Sequence, residues 1–296
     1  MADVEPRIEG LRDPALLKRE LTGWIRKQVG EAGADGVVFG LSGGIDSATV
    51  CGLAALALEP DRCLGLIMPI GSAPQDEALA REVARRFAVP TVRVRLEPAF
   101  DFMMEALDGA PDRGVAQDGG ERARSGDERG QAGEAGEAGE ARQGRRTSAD
   151  DDAMHLARAN LKPRLRMLTL YYHANLKNLL VLGTGNRDEF AVGYFTKHGD
   201  GAADAFPLAD LLKSEVRGLA RHLGVPDDVV EREPSAGLWA GQTDEAELGV
   251  TYEQLDRYLA TGTSGDAAAD ETIRSRQQAA RHKTMPAPTA GPGTDA

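Results

Sequence analysis

Short, uninterrupted apolar runs alternate with amphipathic segments over the first hundred residues of the chain. Residues 37–39 and 63–69 are almost wholly apolar, which predicts strands buried on both faces of a sheet. Residues 91–96 alternate apolar and polar side chains and predict a third strand. The segments between them, 48–58 and 75–87, are rich in helix formers. This β-α-β-α-β order predicts an α/β fold, a doubly wound parallel sheet with flanking helices of the Rossmann-like kind.

Further elements are predicted on either side of this unit. Apolar residues at helical spacing, among them Leu17, Leu21 and Ile25, predict an amphipathic helix over residues 13–29. Asp13 is the expected cap of that helix and Pro14 its first residue. The remaining predictions are a fourth buried strand at 179–182 and helices at 154–176, 211–223, 248–259 and 270–282.

Two stretches lack the apolar residues that a packed core needs. Residues 108–152 consist mainly of Gly, Glu, Arg and Asp and include a threefold Gly-Glu-Ala repeat. Such a composition cannot offset the entropy of ordering the chain, so we predict a disordered insertion there. Residues 285–296 hold Pro, Gly, Ala and Thr and predict a disordered tail. We expect residues 1–296 to form a single domain around these stretches.

Composition narrows the range of partners. The formal net charge is -12 and the sequence pI is about 5.0, which argues against nucleic acid as a partner. No apolar run approaches the length of a membrane span, and the first ten residues are too polar for a signal peptide. The two cysteines, Cys51 and Cys63, lie in no metal-ligand or redox spacing and are expected to be buried apolar residues. A reducing cytoplasm is the expected setting.

The first predicted strand runs directly into a glycine-rich loop and a helix N-terminus. The residues of this loop are Gly40, Leu41, Ser42, Gly43, Gly44, Ile45, Asp46 and Ser47. Glycines let the backbone approach a ligand, and the free N–H groups of a helix start favour an anion such as phosphate. A carboxylate in an anion site suggests Mg²⁺ bridging to phosphate. The loop lacks the Gly-Lys-Ser/Thr ending of a Walker motif. An ordinary Ser/Asp-rich helix cap is the alternative interpretation.

A second polar cluster, residues 183–189, follows the fourth predicted strand. Ligands of open parallel sheets collect at the carboxyl ends of the strands. We therefore expect this cluster and the glycine-rich loop to be neighbours.

Several motifs together resemble one family. SGGIDSA at 42–48 is similar to the phosphate-gripping loop of the ATP pyrophosphatases, whose fold is the adenine-nucleotide α-hydrolase-like one. GTGNRDE, GYFTKHGDGAAD, PSAGLWAGQTDEAELG and a final Arg-His-Lys follow in that order, and the whole set resembles the ammonia-dependent NAD synthetases. The resemblance covers about residues 16–283 and skips the insertion, which typical members lack. It implies amidation of deamido-NAD with ammonia and ATP through an adenylated intermediate, releasing AMP and pyrophosphate.

The resemblance also implies residue roles. ATP is expected to bind residues 40–47 together with Thr184, Lys213 and Ser235, with Asp46 and Lys213 as the catalytic pair. Mg²⁺ is expected on Asp46 and Glu189. Deamido-NAD is expected to contact five further residues, Arg164, Lys197, Asp204, His282 and Lys283.

The family's homodimer is expected here too, with the tyrosine-rich helix at 154–178 as the candidate interface. Only residues 1–36 precede the first strand, too few for the amidase domain of glutamine-dependent relatives. Ammonia is thus expected to be used directly or supplied by a separate protein. The alternatives are another adenylating enzyme of the same loop class, such as a tRNA-modifying enzyme or a GMP synthetase fragment, and a non-catalytic nucleotide-binding module.

Overall fold

The computed structural model describes residues 11–108, 148–235, 237 and 242–289, with side chains from residue 153 onward in the second range. Its centre is a sheet of four parallel strands: β1 (Gly36–Gly40), β2 (Cys63–Ile67), β3 (Thr91–Arg93) and β4 (Leu179–Val181). The strand order is β3-β2-β1-β4. The chain therefore builds outward from β1 through β2 to β3 and then returns to the other side of β1. This reversal creates a crevice at the carboxyl ends of β1 and β4.

Helices cover both faces of the sheet, as the apolar runs predicted. On one face, Val37 and Phe39 of β1 pack with α1 (Pro14–Ala32), α2 (Ile45–Leu58), α3 (Pro74–Arg86) and α7 (Lys213–Leu223). On the other face, Val38 of β1 packs with side chains of α4 (Glu97–Asp108) and α5 (Ser148–Lys177). The alternation along β1 follows from the period of two in a strand. The predicted doubly wound fold is confirmed.

A smaller helical layer lies beyond the end of β4. It comprises α6 (Arg187–Val192), α9 (Asp244–Leu248), α10 (Tyr252–Thr261) and α11 (Ala267–Thr284). Val192, Leu248, Leu255 and Ile273 form its buried core. The short helix α8 (Asp227–Val230) follows α7 and packs on the main core. Since α6 begins at the crevice and its residues line the cavity there, this layer forms one wall of the crevice.

The predicted start of helix α1 is confirmed. Asp13 Oδ1 accepts hydrogen bonds from Ala15 N and Leu16 N, at 2.7 and 3.0 Å, and Pro14 is the first residue of α1. The helix ends three residues later than predicted, at Ala32, and is followed by Gly33 in the left-handed conformation.

Three predictions about elements need correction. Helices α4, α6, α8 and α9 were not predicted. The helix expected at 248–259 begins later, at Tyr252, and ends at Thr261, because Gly249 adopts φ +72° after α9 and Thr251 caps α10. The third strand is shorter than expected and ends at Arg93.

Described helices reach both ends of the predicted insertion, since α4 includes Asp108 and α5 begins at Ser148. Residues 109–147 lie outside the described part of the chain, as do residues 290–296 of the predicted tail. Residues 285–289 belong to no helix or strand. Among the described helices, none has the length and apolar character to cross a bilayer.

Candidate active site

The loop after β1 is held open by its own serines and glycines. Ser42 N and Ser42 Oγ lie 3.3 and 3.1 Å from Ser47 Oγ, and Gly44 N donates to Ser42 Oγ at 3.2 Å. Gly44 precedes α2 without a side-chain cap, so the start of the helix faces the crevice uncapped. Gly43 has φ +85°, and a Cβ there would lie 2.4 Å from the carbonyl oxygen of Asp76. Only glycine fits this position, and the loop has the form of a phosphate site.

Asp46, Glu189 and Lys213 meet at the ends of β1 and β4. Lys213 Nζ lies 2.6 Å from Asp46 Oδ2 and 4.0 Å from Glu189 Oε1. The side chain of Lys213 is 4% exposed, whereas those of the two carboxylates are 18% and 19% exposed. The carboxylates thus approach one cation from two elements and remain partly open to the crevice. The prediction that the loop and the 183–189 cluster are neighbours is confirmed.

Asn186 joins the two carboxylates. Its side-chain Nδ2 donates to Asp46 Oδ1 at 3.1 Å, and its Oδ1 accepts from Glu189 N at 3.1 Å. In return, Asn186 N donates to Glu189 Oε2 at 3.1 Å, which completes a capping box at the start of α6. Asn186 was not assigned a role from the sequence, although an Asn followed three residues later by Glu is the local signal of such a box.

Burial and neighbouring charge have opposite effects on the pKa of Lys213, and both raise the pKa of Glu189. Burial lowers the pKa of Lys213, but the adjacent carboxylates of Asp46 and Glu189 outweigh it and raise that pKa above the ordinary value. Burial and the nearby Asp46 raise the pKa of Glu189 to about 8. The site therefore stabilises bound positive charge, which is the environment that a triphosphate with its counter-cations requires.

A cavity of about 690 Å³ opens from this cluster. Every predicted ATP-binding residue lines it except Gly43, whose backbone lies against Asp76. Asp46 and Glu189, the predicted Mg²⁺ ligands, line it as well. Thr184 follows β4 directly, and Ser235 Oγ accepts a hydrogen bond from Gly237 N at 3.1 Å.

The residues expected to bind the second substrate are divided between the cavity and the surface beside it. Lys283 lines the cavity and donates from Nζ to the carbonyl oxygens of Gly193 and Phe195, at 2.7 and 3.0 Å. Burial lowers the pKa of Lys283. Lys197 Nζ donates to His282 O at 2.7 Å, so these two residues lie together.

Arg164 and Asp204 complete that predicted set. Arg164 is exposed and its Nη2 lies 3.4 Å from Lys197 O, which places it with the surface group. Asp204 accepts instead from Tyr171 Oη at 3.0 Å and from Val181 N at 2.8 Å. Its carboxylate is thus engaged with α5 and β4. The structure brings Arg164, Lys197 and His282 together, and sets Asp204 apart from their contacts.

Arg166 and Arg232 are two of the cavity-wall arginines that were not assigned a role from the sequence. Arg166 donates from Nε to Met68 O at 3.1 Å, and burial lowers its pKa. Arg232 Nη2 lies 2.5 Å from Asp76 Oδ1. Neither arginine has a local sequence signal, because each is brought to the wall by a contact with a distant element.

The sequence matches the family described as NAD synthase over residues 17–126 and 137–287. The chain belongs to the NAD synthase family. It is 39% identical over 264 residues to an NH(3)-dependent NAD(+) synthetase from Carboxydothermus hydrogenoformans, covering 89% of this chain and 92% of the relative.

Two solved structures have the same fold as this chain. A structure of NMN synthetase from Francisella tularensis superposes with a TM-score of 0.77 at 32% identity and covers 94% of this chain and 99% of that one. A NAD+ synthetase from Burkholderia pseudomallei gives a TM-score of 0.66 at 30% identity, covering 92% and 90%.

As a member of the NAD synthase family, the protein is a ligase of NAD biosynthesis that uses ATP as a substrate. The family reaction is the amidation of deamido-NAD with ammonia to give NAD. The resemblance drawn from the motifs is thereby confirmed, and the binding-module and tRNA-modifying alternatives are set aside.

Proposed function

We propose that adenylate transfer and amidation both take place in the cavity between the ends of β1 and β4. The observation that carries this proposal is the meeting of Asp46, Glu189 and Lys213 beside an open phosphate loop. Such an arrangement neutralises and orients a triphosphate without presenting a protein nucleophile. The reaction needs none, because the carboxylate of the substrate is itself the nucleophile.

In this proposal ATP binds with its phosphates on residues 40–47, with Thr184 and Ser235 supplying hydroxyl contacts. Lys213 contacts the triphosphate on the side away from the loop of residues 40–47. Asp46 and Glu189 suit Mg²⁺, which is usually held by one or two carboxylates together with substrate phosphates and water. Both already lie around a single cation, the Lys213 ammonium. Bound Mg²⁺ would supply charge neutralisation at the phosphate oxygens.

In the first step an oxygen of the nicotinate carboxylate attacks the α-phosphorus of ATP, and the bond from that phosphorus to pyrophosphate breaks. The loop N–H groups and Lys213 stabilise the charge that develops on the departing pyrophosphate. In the second step ammonia attacks the acyl carbon, the bond to AMP breaks, and loss of a proton leaves the amide of NAD. Walls formed by Phe190, Phe195 and Tyr194 limit the access of water to the intermediate.

Deamido-NAD is proposed to contact Lys283 inside the cavity and Arg164, Lys197 and His282 at its surface. The cations suit a dinucleotide that carries a pyrophosphate and a carboxylate. Asp204 is proposed to act indirectly on deamido-NAD binding, because its carboxylate accepts a hydrogen bond from Tyr171 of α5.

We also propose a homodimer formed through α4 and α5. These helices expose large apolar side chains, each more than half accessible: Phe102, Leu107, Leu156, Leu168, Tyr172 and Leu176. Leu168, Tyr172 and Leu176 recur every four residues, so they share one face of α5. Clusters of exposed large apolar side chains on one helix face are typical of subunit interfaces. Arg164 lies one turn before Leu168, so the proposed interface adjoins the second-substrate residues.

Light scattering tests the interface. Wild-type protein should have the mass of two chains, and Leu168→Glu should give a folded monomer. Glu253→Gln, an exposed change on α10, is the matched control and should leave the dimer intact. A monodisperse wild-type monomer would exclude this interface. We further propose a cytoplasmic setting, which fits the two buried free thiols, Cys51 and Cys63.

The activity test mixes purified protein with ATP, Mg²⁺, deamido-NAD and ammonium and follows NAD and pyrophosphate. NAD should form only when all four are present, and Asp46→Asn should abolish both products. Asp61→Asn, at an exposed site, is the matched control. Because a structural neighbour is an NMN synthetase, nicotinate mononucleotide is offered in parallel. A preference for the mononucleotide would contradict the proposed dinucleotide substrate.

A further inference from the structure

The start of helix α7 is held by carboxylates from distant parts of the chain. Leu212, the residue before the helix, makes no side-chain capping bond. Lys213 N donates to Asp188 Oδ2 at 2.8 Å and to Asp256 Oδ1 at 3.0 Å. Ser214 N donates to Asp256 Oδ2 at 2.9 Å. Asp256 thus satisfies two of the N–H groups that a helix leaves free in its first turn.

Both carboxyl groups are fully buried. Asp188 is 0% exposed and Asp256 is 2% exposed. Burying two carboxyl groups side by side is costly, whereas a single Ser or Asn at the capping position would satisfy a helix start at far lower cost. The stability of α7 alone therefore does not account for this arrangement.

A second contact from the same helix reaches the other end of Lys213. Tyr252 lies four residues before Asp256, on the same face of α10. The centroid of its ring is 4.9 Å from Lys213 Nζ, and its Oη donates to Asp244 Oδ2 at 2.9 Å. One face of α10 therefore fixes both the backbone and the ammonium of Lys213.

The same network reaches the wall of the cavity where Mg²⁺ is proposed to bind. Asp188 is the residue before Glu189 in α6, so its bond to Lys213 N ties the start of α7 to the helix that carries Glu189. Neither Asp188 nor Asp256 lines the cavity. Asp256 therefore acts on the chemistry through the residues it contacts, and of the two whose N–H groups it binds, Lys213 and Ser214, only Lys213 lines the cavity.

We propose that Asp256 is a positioning residue for adenylate transfer, which holds Lys213 at the distance from Asp46 and Glu189 that the triphosphate requires. This inference rests on the proposed function of Lys213. A displacement of about 1 Å at a positioning group can cost on the order of a hundredfold in rate. Replacing Asp256 should consequently lower the rate of pyrophosphate release and leave the binding of deamido-NAD unaffected.

The variant that tests this is Asp256→Asn, which keeps the shape of the side chain but turns one acceptor into a donor facing an N–H group. We expect kcat to fall by roughly tenfold to a hundredfold, with KM for deamido-NAD unchanged within about twofold. The control is Glu253→Gln, which removes the same charge from an exposed position of the same helix and should leave kcat unchanged. An unchanged kcat for Asp256→Asn would overturn the proposal.

A double variant separates positioning from a general effect on the fold. In a Lys213→Met background, Asp256→Asn should cause no further loss in pyrophosphate release, because the residue it positions is already gone. An equal loss in both backgrounds would make Asp256 a residue of the fold only and would overturn the inference. If Asp256→Asn does not fold, Asp256→Glu serves the same cycle, since it keeps the charge but moves the carboxylate relative to the N–H groups of Lys213 and Ser214. Absence of NAD formation by the wild-type protein would instead contradict the proposed function itself.

Discussion

Replacing Lys213 with methionine removes the ammonium that lies between Asp46 and Glu189 while keeping a side chain of similar length. The ammonium is almost wholly buried and lies 2.6 Å from one carboxylate and 4.0 Å from the other. The change therefore acts on two properties: the stabilisation of the triphosphate during adenylate transfer, and the stability of the free protein.

The size of the kinetic effect can be worked out by placing one phosphate charge at contact distance from the Lys213 ammonium. Two unit charges about 4 Å apart interact by about 4 kcal/mol at an effective dielectric constant near 20. Each ~1.4 kcal/mol corresponds to a factor of ten, so the full loss is about a thousandfold. Charges that remain at the site reduce this figure, and the removal of one preorganised group typically costs ~10²–10³ in kcat. We expect kcat for pyrophosphate release to fall by that amount.

The stability effect should depend on Mg²⁺. Removing one partner of a buried ion pair typically costs ~3–5 kcal/mol, and the partial exposure of both carboxylates favours the lower end of this range. A divalent cation between Asp46 and Glu189 would replace the missing charge. The loss in unfolding free energy should therefore shrink when Mg²⁺ is added.

The assay is urea unfolding with and without Mg²⁺, beside a pyrophosphate-release assay at saturating substrates. Lys27→Met on α1, where the lysine side chain is 66% exposed, is the matched control and should change neither quantity. If Lys213→Met retained wild-type kcat, or lost stability to the same extent with and without Mg²⁺, the assignment of Lys213 and the metal site would be refuted.

Three further predictions concern the loop, the acid dependence and the thiols. Gly43→Ala should abolish ATP binding measured by calorimetry, because the new Cβ would lie 2.4 Å from a carbonyl oxygen, whereas Gly30→Ala on α1 has open space and should bind ATP normally. Bonds from Arg12 outweigh burial and lower the pKa of Glu215, so its contribution is present above the unfolded pKa and lost as pH falls through the folded one. Glu215→Gln should then cost about 1–3 kcal/mol in urea unfolding at pH 7, and little below the folded pKa. Burial raises the pKa of both cysteine thiols to about 12, so a thiol reagent at pH 8 should label the native protein far more slowly than the unfolded one.

The central part of the fold could be predicted because its signals are local. The apolar runs of β1 and β2 have no polar face, which is the pattern of strands covered on both sides. The loop after β1 predicted which edge of the sheet carries the cavity, because the glycines between a strand and a helix are contiguous in sequence. Helix α6 escaped prediction because six residues hold too little periodicity, and its only signal is the capping box of Asn186 and Glu189.

The burial of Lys213 could not be predicted from the residues around it in the sequence. A lysine at the start of an amphipathic helix is normally a solvated surface residue, and only the resemblance to a family gave it a role. In the fold it is buried because Asp46, Tyr252 and the carboxyl groups of Asp188 and Asp256 surround it. These partners lie far from it in sequence, so no pattern along the chain predicts them.

The attack of the substrate carboxylate on the α-phosphorus is tested most directly by tracing the oxygen atoms of that carboxylate. Deamido-NAD labelled with ¹⁸O in its nicotinate carboxylate is incubated with the protein, ATP, Mg²⁺ and ammonium, and the AMP and pyrophosphate are analysed by mass spectrometry. If the substrate carboxylate attacks the α-phosphorus, a single ¹⁸O atom appears in AMP for each NAD formed, and pyrophosphate stays unlabelled. NAD formation with unlabelled AMP would contradict the account.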